Sequence, residues 1–394
     1  MVYRRSPGNI RRPARRPSSK RRSYAKPKRS SRRGSRRVSS KCRCAPELTP
    51  SARFALAQLD PFDPRANGAK VPDSNTMPSL ANVDCDQVTL TTNATQTLAA
   101  IAFTPSYQQA VFIAQDTGGV LSWPYAAGPL VQQRRNAVNV IAQLEAIRPV
   151  AHAIRASSSL SPNSATGFVH IGLSVESRLT DTAAPNMQFP TTISSMTGLA
   201  HYKRITLASL TQSPITAINK WIDELAFRYD DPRVRYSTGV QDGTTNSGYN
   251  VLTMQQSWCT IVVMLEGAPN SSPAISFEHI LLSESLPKKD AFILGTPAAP
   301  NSPGTMSAVS QMTGEGDFVH TEAGQESYIS QGLDAFTRGA AQAGSQVFSN
   351  VAVPLLERIG RAGGYTAANM AFNAMAGMGG IPGVNANPGR LALY

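Results

Sequence analysis

Charge is scarce in this chain, and one sign of it is missing altogether from the first stretch. Only 16% of the 394 residues are charged, and residues 1–43 contain no Asp or Glu. Cysteine is scarce too: there are four, Cys42, Cys44, Cys85 and Cys259. The first two are separated by a single Arg, too close for a zinc knuckle, and four in so long a chain do not make a disulfide framework. A reducing site of synthesis is the expectation. No apolar run is long enough for a transmembrane helix, and the basic N-terminal stretch lacks the apolar core of a secretory signal. Catalytic signatures are missing as well. There is no Gly-x-Ser-x-Gly elbow, no His-Glu-x-x-His and no Walker A loop. Gly377-Met378-Gly379-Gly380-Ile381-Pro382-Gly383 has the wrong spacing for a dinucleotide fingerprint and no βαβ pattern around it. These absences exclude the commoner enzyme classes and leave binding and structural roles.

What is present is a polycation. Residues 1–43 hold Arg4, Arg5, Arg11, Arg12, Arg15, Arg16, Lys20, Arg21, Arg22, Lys26, Lys28, Arg29, Arg32, Arg33, Arg36, Arg37, Lys41 and Arg43. The 38 basic and 25 acidic side chains thus divide into an arm with 18 positive charges and a remainder with 20 against 25, net −5. Charge segregated in this way implies an anionic polymer as partner, because Arg and Lys release condensed counterions when they neutralise phosphates. The arm is rich in Ser, Pro and Gly and poor in large apolar residues, so it is expected to be disordered alone. Its aromatics are Tyr3 and Tyr24, too few for base stacking to dominate, and nothing is spaced to read base edges. A nuclear-localisation signal, a membrane-surface patch and a mitochondrial presequence are the alternatives. Eighteen charges exceed what an import signal needs, and no amphipathic apolar stripe runs through them.

After the arm, Ser51–Leu59 has the composition of a short helix, and the Pro-rich segment Asp60–Asp73 predicts an extended or turning lead-in. From Gln87 the pattern becomes strand-like: Val88–Thr91, Thr97–Phe103, Ala110–Ala114 and Val120–Pro124 are short apolar runs divided by turn residues. Val131–Ile147 has helical spacing, with Val138, Ile141 and Leu144 on one face and Arg134 and Arg135 near its start. Arg148–Ala156 and Phe168–Val175 read as a β-hairpin carrying His152 and His170, either a ligand pair or half-buried strand histidines. Lys203–Leu207 and Leu225–Tyr229 read as strands. Trp258–Pro269 and Ala274–Glu284 give the clearest β signal, joined by a Pro/Ser turn and closed by Leu286-Pro287. Beyond a linker at Pro297–Gly304, Ile329, Leu333, Phe336, Ala340, Val347, Val351, Leu355 and Ile359 fall on one helical stripe, kinked or ended at Pro354. Asp230, Asp231 and Asp242 are either solvated turn residues or ligands for a hard cation such as calcium.

The order of these parts (basic arm, Pro-rich lead-in, many short strands, a final strand–turn–strand ending Glu284-Ser285-Leu286-Pro287) resembles the nodavirus-like lineage of viral coat proteins, which extends to capsids of some single-stranded DNA viruses such as bacilladnaviruses. The segment Gly68-Ala69-Lys70-Val71-Pro72-Asp73, the Thr97–Trp123 stretch and Trp258–Pro287 carry the resemblance. It implies a mainly β chain: an eight-stranded antiparallel jelly roll with a disordered basic arm and a partly helical C-terminal tail. The expected division is an arm at 1–45, a lead-in at 46–86, a shell domain at 87–290, and a linker and tail at 291–394. The implied role is a virion shell, T=3 by the same resemblance, assembled in the host cytoplasm or nucleus. Its partners are copies of itself and a single-stranded RNA or DNA genome, and no host receptor is indicated. No cofactor is required, with calcium at subunit contacts the one ion the acidic residues suit. Nodavirus coat proteins also cleave themselves at an Asn-Ala bond with the help of a buried Asp. Asn373-Ala374 and Asn385-Ala386 are the matching bonds here, and Asp60 and Asp63 lie near the place of that Asp. Either cleavage would release a shorter and less amphipathic peptide than the family's. A non-viral nucleic-acid packaging protein and an enzyme with an import signal are the competing readings.

Overall fold

The computed structural model describes residues 48–339, except 93–97, 108, 117, 125–129, 136, 176–178, 181–185, 188, 231–234, 238–249, 253–256, 270–272, 292, 316–317, 322–330, 333–334 and 337. The first element is the predicted helix, α1 (Pro50–Leu59). Thr49 caps it, its side chain accepting from the Ala52 amide at 3.2 Å, and Pro50 occupies the first turn, where its missing N–H costs nothing. Every residue from Phe54 to Leu59 is buried, so the helix is covered on all sides. The lead-in then turns through a 3-10 segment at Pro64–Ala66, as its proline content requires.

Among the described residues the strands are β1 (Leu80–Thr91), β2 (Leu98–Phe103), β3 (Val111–Asp116), β4 (Leu121–Ser122), β5 (Val131–Gln132), β6 (Leu144–Ser157), β7 (Phe168–Ser174), β8 (Leu179–Thr180), β9 (Asn186–Met187), β10 (Ala200–Thr206), β11 (Ile215–Ile218), β12 (Arg235–Ser237), β13 (Asn250–Leu252), β14 (Thr260–Glu266), β15 (Pro273–Pro287) and β16 (Val319–Thr321). Helices α2 (Ala137–Gln143), α3 (Ile193–Thr197), α4 (Leu207–Gln212) and α5 (Pro303–Glu315) lie between them. One sheet has the order β1-β15-β6-β11-β16, and the other β10-β7-β14-β2-β3-β4, with β5 also paired to β3. Every pairing in both is antiparallel. Removing the edge additions leaves two four-stranded sheets, β1-β15-β6-β11 and β10-β7-β14-β2, whose strands are filled by a chain that crosses repeatedly from one to the other. That arrangement is the eight-stranded jelly roll.

Three apolar layers follow from strand alternation. Val88, Phe103, Ile154, Ile171, Val263 and Phe277 fill the space between the sheets. Phe112, Trp123, Phe189, Met196 and Met264 cover the outer face of the second sheet. Phe54, Leu59, Val150, Ile280, Met306 and Phe336 belong to a third layer, where α1 and α5 pack on the outer face of the first sheet.

Four local expectations are corrected. The predicted hairpin of residues 148–156 and 168–175 is not one: β6 pairs with β15 and β11, whereas β7 pairs with β14 and β10. Consecutive strands here cross between sheets, which periodicity within a strand cannot reveal. The helix expected over 131–147 shrinks to α2: Val138 of its presumed inner face is 72% exposed, and Leu144, which is buried, already begins β6. Leu225–Tyr229 is not a strand, since Glu224–Phe227 forms a 3-10 turn capped by Asp223. β1 starts at Leu80, ahead of the expected Gln87, for a reason that lies in the site below.

Gly167 sits where the loop before β7 touches the end of β14. Its φ is +95°, and a Cβ there would overlap the carbonyl oxygen of Glu266 and the backbone of Gly267. Both conformation and space require glycine. Gly167→Ala is expected to lower stability by at least about 2 kcal/mol; a urea midpoint equal to wild type would refute this.

Candidate functional site

The described chain enters and leaves through one layer. Leu48 packs against the cluster that holds α1, and the helical residues Ala335 and Phe336 are buried in that same cluster with Met306, Val309 and Met312 of α5. A Cβ on Gly332 would run into Leu59, and one on Gly339 would lie 2.7 Å from Ala308 Cα, so these segments approach as closely as backbone allows. The end that continues into the basic arm and the end that continues into the tail therefore meet on the outer face of the first sheet.

The lead-in is fastened to that sheet by buried charge. Arg148 of β6 is fully buried and uses all five of its N–H donors. Nε and Nη2 donate to Glu284 Oε2 at 3.0 and 2.7 Å, and Nη1 donates to the Phe227 carbonyl at 3.0 Å. Nη1 and Nη2 also bond the Asp73 carboxylate. Glu284 of β15, wholly buried, accepts in addition from the Val71 amide at 3.1 Å and from the Ser79 hydroxyl. Burial weakens the Arg148 charge, but Asp73 and Glu284 more than compensate and hold its pKa above the ordinary value. Lys70 donates to the carbonyls of Ser79, Thr296 and Pro297 at 2.8 to 2.9 Å, which ties the lead-in to the segment after β15. Burial lowers its pKa, opposed by Glu284.

A second polar cluster occupies one end of the space between the sheets. Asp84 and Asp86 of β1 share a face with Val88 and Leu90, which point into the sandwich core. The Tyr107 hydroxyl donates to Asp84 and lies 2.8 Å from Ser283 Oγ. Arg134 is buried beside them, donating from Nε to the Ser106 carbonyl at 3.3 Å and from Nη1 to the Asp84 carbonyl at 3.2 Å, with Asp86 at 3.9 Å. These inward carboxylates explain why the first half of β1 does not look like a strand: it faces a buried guanidinium and phenol rather than hydrocarbon.

His152 and His279 share this interior. The Asn219 amide nitrogen lies 3.1 Å from His152 Nδ1, and His279 stacks obliquely on Phe103 at 5.5 Å. Burial, reinforced by Arg134, pushes His279 down to about 3 and holds His152 well below its usual value. A histidine whose folded pKa is depressed contributes fully above its unfolded pKa and loses that contribution as pH falls toward the folded value. For His279 the window runs from the ordinary histidine value of 6.5 down to about 3. Each such histidine should remove up to about 1.4 kcal/mol per pH unit across that window. Asp84, raised by burial, acts in the opposite sense. Comparing urea unfolding of wild type and His279→Phe isolates the histidine: the variant should lose about one proton's worth of acid slope, and parallel curves would refute the assignment.

Of the two alternatives for His152 and His170, the ligand pair is not met, since they lie in different sheets, and both side chains are fully rather than half buried. His152 points between the sheets, whereas His170 pairs with Met264 on the outer face of the second sheet, 2.8 Å from the Tyr202 hydroxyl and 3.0 Å from Glu266. Asp230 forms a two-way backbone bridge with Ile147 at 2.9 and 3.0 Å, its carboxylate 3.9 Å from Arg228 Nε. Burial raises its pKa and Arg228 lowers it. Asp231, Asp242, the eighteen arm residues and both Asn-Ala bonds lie outside the described residues. No group of three His, Cys, Asp or Glu that could hold a metal occurs among the described residues. Asp60 accepts from the Phe62 amide at 3.1 Å and has a raised pKa from burial and from Asp63, while Asp63 is paired with Arg65. No helix among the described residues is long and apolar enough to cross a membrane.

No protein-family model matches the chain, and no curated protein matches its sequence. Solved structures do show similarity. A T13 particle of infectious bursal disease virus is 11% identical, with 75% of this chain and 97% of that chain covered and a TM-score of 0.42. The VP2 subviral particle of the same virus is 13% identical over 64% of this chain and 91% of that chain, TM-score 0.41. Cocksfoot mottle virus is 11% identical over 56% and 97%, TM-score 0.31. The fold assignment rests on the strand order, and at these TM-scores the similarities add nothing to it.

Proposed function

We propose that this chain is a structural capsid protein: copies assemble into a closed icosahedral shell, and the N-terminal arm holds a single-stranded genome inside it. The observation that carries the reading is the joining of two features. A jelly-roll sandwich of low charge gives its N-terminal strand of chain off a single layer, and the sequence continuing from that point carries 18 positive charges against none negative. A rigid β body suits side-by-side packing, and a polycation that precedes Leu48 in the sequence suits a polyanionic partner. The resemblance to nodavirus-like coat proteins favours T=3 and a virion location. Calcium at subunit contacts, with Asp230 joined by Asp231 and Asp242, is the accompanying cation reading.

Electron microscopy and sedimentation of the purified full chain with single-stranded nucleic acid, with and without calcium, test this. Uniform closed particles are expected, with calcium raising their yield. Monomers or dimers under every condition would overturn the shell reading, and indifference to calcium would remove the cation.

A further inference from the structure

In the polar interior of the sandwich, one imidazole is locked into a single protonation pattern. His152 and Asn219 are buried side by side, and the Asn219 backbone N–H donates to the His152 carbonyl at 2.8 Å. The Asn219 side-chain amide has only one workable orientation. Its Nδ2 donates to the Cys259 carbonyl at 2.7 Å, and its Oδ1 accepts from the Lys220 N–H at 2.9 Å. Turning it round would set oxygen against oxygen and N–H against N–H. Nδ2 also lies 3.1 Å from His152 Nδ1, so Nδ1 accepts there and the ring proton sits on Nε2. His152 Nε2, His279 Nδ1 and Arg134 Nη2 are buried without a hydrogen-bond partner among the described residues.

These groups lie beside the contact that fastens two loop residues to β1. Asp86 stands opposite His279, and Leu281 separates Asp84 from His152 across the same sheet. Arg134 reaches the Asp84 carbonyl and Asp86, while Tyr107 bonds Asp84 and Ser283. Arg134 and Tyr107 are coupled, since the Arg134 N–H donates to the Tyr107 carbonyl at 2.9 Å and the Ala110 N–H to the Gln132 carbonyl at 3.0 Å. Among the described residues, the titratable groups around the two imidazoles are Asp84 and Asp86 of β1, Tyr107, Arg134 and Cys259, with Lys220 next to Asn219.

We propose that this cluster is an acid-sensitive latch: while His152 is neutral, Tyr107 and Arg134 are held on β1, and a proton taken up at His152 Nδ1 releases them. Nδ1 is the one nitrogen of that ring open to a proton, and a new N–H there would point at the Asn219 N–H. No carboxylate is at hand to receive it, because Asp84 is engaged by Tyr107 and Asp86 lies against Arg134. The imidazolium would also share the interior with Arg134, and burial together with that charge already disfavours a proton on either histidine. An open form in which water reaches the ring binds the proton more tightly, so acid favours it. Tyr107 and Arg134 are the part that can yield. Side-chain bonds hold them to β1, whereas β6 and β15 are joined by a ladder running from Leu144 to Ser157.

Hydrogen exchange of the full chain, followed from neutrality down to about pH 4 and corrected for the intrinsic pH dependence of exchange, tests this. Peptides containing Tyr107 and Arg134 should lose protection at least about tenfold more than peptides from β14 and β15. Asn219→Asp sets a carboxylate beside His152 Nδ1, giving a proton there an acceptor, and release should move to lower pH by about one unit or more. Asn219→Ala loses the same bond to the Cys259 carbonyl but supplies no acceptor, so its release should not move to lower pH. In the wild type, the imidazole nitrogen shifts of His152 should report the proton on Nε2 at neutral pH. Protection lost equally from loops and strands, Asn219→Asp releasing at the wild-type pH, or a His152 proton on Nδ1 would each overturn the latch. The exchange and nitrogen shifts of the wild type decide the matter if either variant fails to fold.

Discussion

Replacing Glu284 by Ala is expected to lower the unfolding free energy by about 3–5 kcal/mol, the cost of leaving a buried cation without its counter-charge. The site admits no easy relaxation. Arg148 has about 2% of its side chain exposed and already uses every donor, while Glu284 has none exposed. With the carboxylate gone, the Val71 amide and Ser79 hydroxyl lose their acceptor too, and Lys70 loses the charge that opposes its desolvation. The strap 68–79 should then detach before the sheets do, because its other ties, Lys70 to Thr296 and Pro297 and Asp73 to Arg148, depend on the same neighbourhood. Urea unfolding gives the magnitude, and limited proteolysis shows whether cutting concentrates within 68–79. Arg148→Met with Glu284→Met should recover part of the loss, since a buried pair replaced by hydrocarbon is often close to neutral. A single variant within about 1 kcal/mol of wild type would mean that the cluster is solvated and holds nothing.

This cluster also marks where reading the sequence stops. Gly68–Asp73 and Glu284–Pro287 stand out in the sequence by family resemblance, yet no spacing rule links Lys70, Asp73, Arg148 and Glu284, which come from three separate stretches. The same is true of Asp84, Tyr107, Arg134 and His279: inward polar residues break the apolar alternation, so β1 is legible from Val88 and illegible from Leu80 to Gln87. Strands with hydrocarbon on both faces, such as β2 and β14, are visible as continuous apolar runs because each is covered by two layers. Sheet membership is a different matter. Phe168–Ser174 follows Leu144–Ser157 closely in sequence, and local pairing is the economical guess, but the jelly roll sends the two to opposite sheets. The helix α5 falls in a stretch that Pro297, Pro300 and Pro303 make look like linker; it forms after the last of these, with Pro303 in its first turn.

Deleting residues 1–43 is expected to abolish nucleic-acid packaging while leaving the body folded. The deletion removes 18 positive charges and leaves a net −5, so a surface that attracted phosphate comes to repel it. Folding should survive, because every residue of the three apolar layers lies at Leu48 or beyond. The mechanism can be tested more finely than by loss. If the arm holds a single strand by phosphate contacts alone, log K falls with log salt at a slope of about −0.7 per contact. Changing Arg4, Arg5, Arg11, Arg12, Arg15 and Arg16 to Ser should therefore flatten the slope by up to about 4. Lys at the same six positions should keep most of the binding, since a point charge is enough where no bidentate base contact is made. Salt-titrated binding of the three proteins to two single strands of unrelated sequence distinguishes the cases. Equal affinities for the two strands and a slope that follows the number of cations support a purely electrostatic hold. A strong preference for one strand, or a slope indifferent to the six serines, would show that the arm reads something other than phosphate.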